Sequence, residues 1–156
     1  MHKHSSYKPL FIIILLILLG TILLPLVDPA QPMQNFMGIF FITFSYFKLI
    51  NLKEFAESFS QYDPLAKIVK PYALVYPFVE LFLGLSFITA LNLQLTSIIT
   101  AIVTGLGAFG IFTTIKNKQI IECACLGMVF KLPLSRVSLI ENLAMFAMSV
   151  IIYINL

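Results

Sequence analysis

Five apolar stretches, each close to the ~20 residues that a helix needs to cross a bilayer, constrain this chain more than any other feature. They cover residues 9–27, 33–50, 71–91, 95–115 and 137–154. Lipid offers no partner to an open backbone N–H or C=O, so such segments span as helices, each residue advancing ~1.5 Å across a hydrocarbon layer of ~30 Å. Of 156 residues, 60% are hydrophobic and 11% charged, against about 45–50% and about 25% in a soluble domain, so a water-soluble fold of this size could not hide the excess. The expected fold class is all-α: one compact polytopic membrane helix bundle, with the lipid bilayer as partner and no nucleic-acid partner. There is no room for a soluble catalytic module beside the spans.

A basic lead, MHKHSSYK, precedes the first stretch, and Ala30 follows it. This also fits a signal peptide, but the apolar run is long and no A-x-A-like site follows, so the first stretch is read as a retained span. Orientation follows from the basic residues, because translocation of Lys and Arg beside a span is disfavoured. All ten fall in three segments: Lys3 and Lys8; Lys48, Lys53, Lys67 and Lys70; Lys116, Lys118, Lys131 and Arg136. The connections 28–32 and 92–94 and the tail have none. The pattern predicts that the N-terminus and the cysteine loop lie in the cytoplasm.

Residues 51–70 are too many for a simple turn. Leu52, Phe55, Ala56 and Phe59 fall at helical spacing, with Lys53, Glu54 and Glu57 on the other face, which predicts an interfacial helix over 51–63. Pro64 and Pro71 then break the pattern. Gly105, Gly107 and Gly110 spell G-x-G-x-x-G, but inside an uncharged apolar span, not after a strand in a βαβ unit, so a dinucleotide site is rejected. With Ala101 and Ala108 they form a small-residue stripe that lets another backbone come close.

Two carboxylates lie inside spans. An ionisable group there costs several kcal/mol unless it is protonated, paired or facing a cavity, so Glu80 and Glu141 should face the bundle interior. Both fall in the half nearest the cysteines. A structural role, hydrogen-bonded to Asn142, a tyrosine or a backbone carbonyl, stands beside one in ion, metal or proton handling, and Lys48 could neutralise either group.

The only cysteines, Cys123 and Cys125, sit one residue apart in IIECACLGMVFKLPLS, a loop dipping toward the interface. Two adjacent thiols can take a soft ion, Cu(I) or Hg(II), although two ligands do not complete a zinc site and neither His2 nor His4 is clearly placed to finish one. The same spacing can close a small, strained and easily reduced disulfide, suited to exchange. Lys118 and Lys131 would favour a thiolate, and Glu122 would oppose it. Met33, Met37, Met145 and Met148 are candidates to line a metal path, though Met more often fills a core.

The segments FMGIFFITFSYFKLINLKEFAESFSQYDPLAK, YPFVELFLGL and CACLGMVFKLPLSRVSLIENLAM resemble the MauE branch of the MauE/DoxX redox-associated membrane proteins. The resemblance covers residues 36 to the end. It implies a DoxX-like four-helix core over 33–156, with the Cys loop at 116–136, preceded by an extra N-terminal span within 1–32. It also implies a part in maturation or redox handling of an exported partner, for MauE itself the methylamine dehydrogenase small subunit. Thioredoxin-like proteins and heavy-metal-associated domain proteins are the implied partners. Cys123 and Cys125 would then be a redox pair in thiol–disulfide exchange, a candidate oxidoreductase component without a complete recognisable active site, or, alternatively, a soft-metal relay.

Overall fold

A computed structural model describes residues 7–23, 31–124, 126, 132–133 and 136–156. The described elements are α1 (Lys8–Leu23), α2 (Pro32–Ile50), α3 (Leu52–Tyr62), α4 (Pro64–Ile68), α5 (Lys70–Ile88), α6 (Leu93–Lys116), β1 (Glu122–Cys123), β2 (Leu132–Pro133) and α7 (Arg136–Ile154). Proline in the first turn opens α2, α4 and α5, where the missing N–H has no helical partner to lose. The Asn92 side chain accepts a hydrogen bond from Leu95 N–H at the start of α6, with φ at 43°. Asn tolerates that left-handed conformation better than other residues with a Cβ.

Two antiparallel helix pairs build the bundle. In the α2–α5 pair, Gln34 Nε2 donates to the Phe87 carbonyl at 2.6 Å and Ser45 Oγ to the Pro77 carbonyl at 2.7 Å. A Cβ on Gly84 would stand 2.9 Å from the Gly38 carbonyl oxygen, so here glycine sets the helix separation. In the α6–α7 pair, Gly105 faces Phe146 and Gly107 faces Asn142. The small-residue stripe of α6 thus admits the side chains of α7, while Gly110 admits the backbone of Tyr62, where α3 turns into α4.

Three helices, α5, α6 and α7, are long and apolar enough to cross a membrane, and the bent α2–α3 pair makes a fourth candidate. The sequence predicts five spans. The difference lies in α1, whose 16 described residues reach only ~24 Å, and in α2, where Gln34, Asn35, Ser45 and Lys48 lower the hydropathy. Those four side chains are buried against neighbouring helices, so α2 need not be apolar all round. Outward-facing Phe11, Leu15, Phe82, Phe109, Phe112 and Phe146 give the apolar surface that lipid solvates. The chain is a multi-pass membrane protein.

At Asn51 the chain turns by 110° into α3. Phe55, Ser58, Phe59 and Tyr62 point inward from α3, and Lys53, Glu54 and Glu57 point out. Asp63 then caps α4, its Oδ1 accepting from Leu65 N–H at 3.0 Å and Ala66 N–H at 2.9 Å. Residues 123, 124 and 126 of the Cys loop pack between the pairs. The strands of the loop form a two-residue antiparallel ladder in which Glu122 faces Pro133 and Cys123 faces Leu132.

Candidate functional site

Residues 123, 124 and 126 of the Cys loop are buried in the bundle. Cys123 is 1% exposed and packs in the apolar cluster of Phe40, Phe44 and Met145, while its neighbour Ala124, fully buried, belongs to the second cluster with Phe55, Phe59 and Tyr62. The loop therefore joins the two halves of the core. Ser58 Oγ donates to the Glu122 carbonyl at 2.7 Å, and the Ala124 N–H donates to the Tyr62 phenolic oxygen, so α3 holds the loop along its edge.

Cys123 is disulfide-bonded, and Ser138 Oγ, in the first turn of α7, donates to its sulfur at 3.2 Å. Cys125, the chain's other cysteine, lies outside the described residues, as do Lys131, His2 and His4. Glu122 and Lys118 are exposed and do not face the buried sulfur.

Beneath the loop lies a cavity of about 40 Å³ lined by Lys48, Tyr62, Tyr76, Glu80, Ala124 and Glu141. That is room for about one water, whose share of liquid volume is ~30 Å³. Lys48 and Glu80 form a buried ion pair across α2 and α5, with Nζ 2.6 Å from both carboxylate oxygens. The ammonium also stands 5.0 Å from the Tyr76 ring centre and 5.6 Å from that of Phe55, and the Tyr76 hydroxyl donates to Glu80. Aromatic faces and a bidentate carboxylate thus replace the hydration of the lysine.

Glu141 is the odd group out. Both its carboxylate oxygens are shut off from solvent, and neither meets a hydrogen-bond partner among the described residues. Asn142, one expected partner, donates instead to the Ser138 carbonyl at 3.1 Å. Lys48, the other, is taken by Glu80 and reaches Glu141 only through space. The structure thus brings Glu80, Glu141, Lys48 and the peptide after Cys123 to one cavity.

Tyr62, Tyr76 and Ser138 escaped the sequence reading. Tyr62 continues the Phe55 and Phe59 face of α3, and that spacing was the available signal. Ser138 carried none. Met37 and Met145 are core side chains, and Met33 and Met148 pack partly buried against the same cluster. Among the described residues no group of three or more His, Cys, Asp or Glu is placed to hold a metal ion.

The family model for methylamine utilisation protein MauE matches residues 10–155. The match begins inside α1, so the first helix lies within the family's extent, not ahead of it as the resemblance from residue 36 implied. No curated protein and no solved structure matches the chain.

Proposed function

Since the chain belongs to the methylamine utilisation protein MauE family, we propose that it supports the thiol–disulfide chemistry of a partner protein through Cys123 and Cys125. In this reading a partner thiolate attacks one sulfur of the pair, the other sulfur leaves as a mixed disulfide forms, and the partner's second thiol then displaces the first sulfur, so that the partner is oxidised to a disulfide and the pair reduced to a dithiol. The partner is a thioredoxin-like protein on the cytoplasmic side. The membrane is the bacterial inner membrane, with the pair toward the cytoplasm, where a reducing environment draws it to the dithiol state.

The observation that carries the reading is the setting of Cys123. It is withdrawn from bulk solvent, bonded by Ser138, and joined through Ala124 to a charged cavity. A cysteine filling an apolar core has no use for a lysine, two carboxylates and two tyrosines under its loop. Ionisable groups gathered one residue along the chain from the disulfide are what supports the reading.

The test is to quench growing cells with acid and tag free thiols with a maleimide of known mass. The tagged fraction should follow the redox state of the medium, and one of the two variants, Cys123→Ser or Cys125→Ser, should accumulate a partner adduct that dithiothreitol removes. A fixed thiol state with no adduct in either variant refutes the proposal. Tight one-to-one Cu(I) binding by the reduced protein, lost when both cysteines are serine, would point to the soft-metal role instead.

A further inference from the structure

Glu141 has no role in the exchange as just described, yet its position has a price. A buried carboxylate facing neither donor nor cation is disfavoured as an anion in a membrane bundle, and here the adjacent ammonium is already bound to Glu80. Among the described residues, the titratable groups that face the cavity beside Glu141 are Lys48 from α2, Tyr62 from α3, and Tyr76 and Glu80 from α5. From α6 come Thr104 and Gly107, which carry no titratable group. A proton on Glu141 leaves the cavity neutral overall: one ammonium, one carboxylate, one carboxylic acid.

Cys123 supplies the need for such a proton. Ser138, which donates to its sulfur, is three residues before Glu141 on α7, so the two side chains share a face one turn apart. We propose that Glu141 is the proton store of the cysteine pair, carrying a proton while Cys123 is in the disulfide and giving it to the Cys123 sulfur on reduction. This rests on the exchange function proposed above.

The step balances. A thiolate of an external dithiol attacks the other sulfur of the pair, the S–S bond breaks, and Cys123 Sγ leaves with the bonding electrons. It takes the hydroxyl proton of Ser138, and that hydroxyl is refilled from Glu141, one turn along the same face of α7, through one water. The second thiol of the external dithiol then attacks the external sulfur of the mixed disulfide and expels the other sulfur of the pair, which takes up the proton that this thiol gives up, so the external dithiol leaves as a disulfide and the pair is reduced. The transfer moves the negative charge from a sulfur packed in an apolar cluster to a carboxylate within the field of Lys48. The new Glu141 carboxylate then shares the field of Lys48 with Glu80. Oxidation runs the same path in reverse.

The full chain in liposomes, reduced with dithiothreitol, tests this by infrared difference spectroscopy and time-resolved alkylation. Reduction should remove the carbonyl band of a protonated carboxylic acid, and the loss should be absent in Glu141→Gln. That variant should also be reduced more slowly, on the order of 100-fold at neutral pH, with Glu141→Asp recovering part of the rate and moving the band. Should Glu141→Gln fail to fold, the band and its movement in Glu141→Asp still decide. An unchanged band in wild type whose pair cycles normally overturns the proton store and leaves the exchange function standing. A pair that cannot be reduced or reoxidised overturns both.

Discussion

At the scale of single residues, the buried Lys48–Glu80 pair decides how much charge the bundle tolerates. Removing one partner strands the other in a low-dielectric site, which typically costs about 3–5 kcal/mol, whereas replacing both by apolar groups of similar size is often neutral or better. Lys48→Met or Glu80→Gln alone should therefore lower the thermal unfolding midpoint in detergent markedly, and the double variant Lys48→Met with Glu80→Leu should recover most of it. A double variant no better than the singles would show that the tyrosine and phenylalanine contacts, not charge balance, set the stability. Both carboxylates could be singled out from sequence because charge inside an apolar span is expensive. Which of them takes Lys48 could not, because that depends on the offset of α2 against α5, fixed by the close approach of Gly38 and Gly84. Those two glycines, each alone in its span, had no repeating pattern to reveal them.

At the scale of elements, α3 and α4 act as a clasp on the Cys loop, and Gly110 is where the clasp meets α6. A Cβ there would collide with the Tyr62 carbonyl and come within 2.9 Å of Pro64 Cδ, whereas one on Gly105 would sit 3.4 Å from the Phe146 ring, an ordinary contact. Gly110→Ala should thus destabilise the fold by roughly 1–3 kcal/mol, in the range of overpacking, and speed alkylation of reduced Cys123. Gly105→Ala should change neither by a measurable amount. Equal behaviour of the two would mean that the clasp does not hold the loop. Asp63→Ala removes the cap of α4 and should cost about 1 kcal/mol in the same melt. The helices themselves were legible as apolar windows, and α3 as an amphipathic repeat. The insertion of the Cys loop was not, because a loop of mixed polarity gives no sign of depth, and only Ser58, Tyr62 and Ser138 reaching into it fix its place.

At the scale of the whole molecule, the basic residues among those described keep their asymmetry between the two ends of the bundle, with one exception. Lys48 is withdrawn into the core, but Lys53, Lys67, Lys70, Lys116, Lys118 and Arg136 remain exposed, all at the end of the bundle from which the Cys loop enters. The opposite end, around the α5–α6 turn and the last residues of α7, exposes Leu91 and Leu156 and no basic side chain. Because Cys123 is nearly inaccessible, its own labelling would report the clasp more than the side of the membrane. Reporter cysteines separate the two effects: in a chain with Cys123→Ser and Cys125→Ser, Ile120→Cys lies at the loop end and Leu91→Cys at the other, and both replace exposed residues. An impermeant maleimide added to intact cells should label the Leu91→Cys chain and leave the Ile120→Cys chain unlabelled until the membrane is opened. The reverse pattern would place the cysteine pair on the oxidising side, where it would rest as a disulfide and accept electrons from substrate thiols. The Glu141 proton would then be given up with each disulfide the pair forms in a substrate, and taken back with each one it reduces.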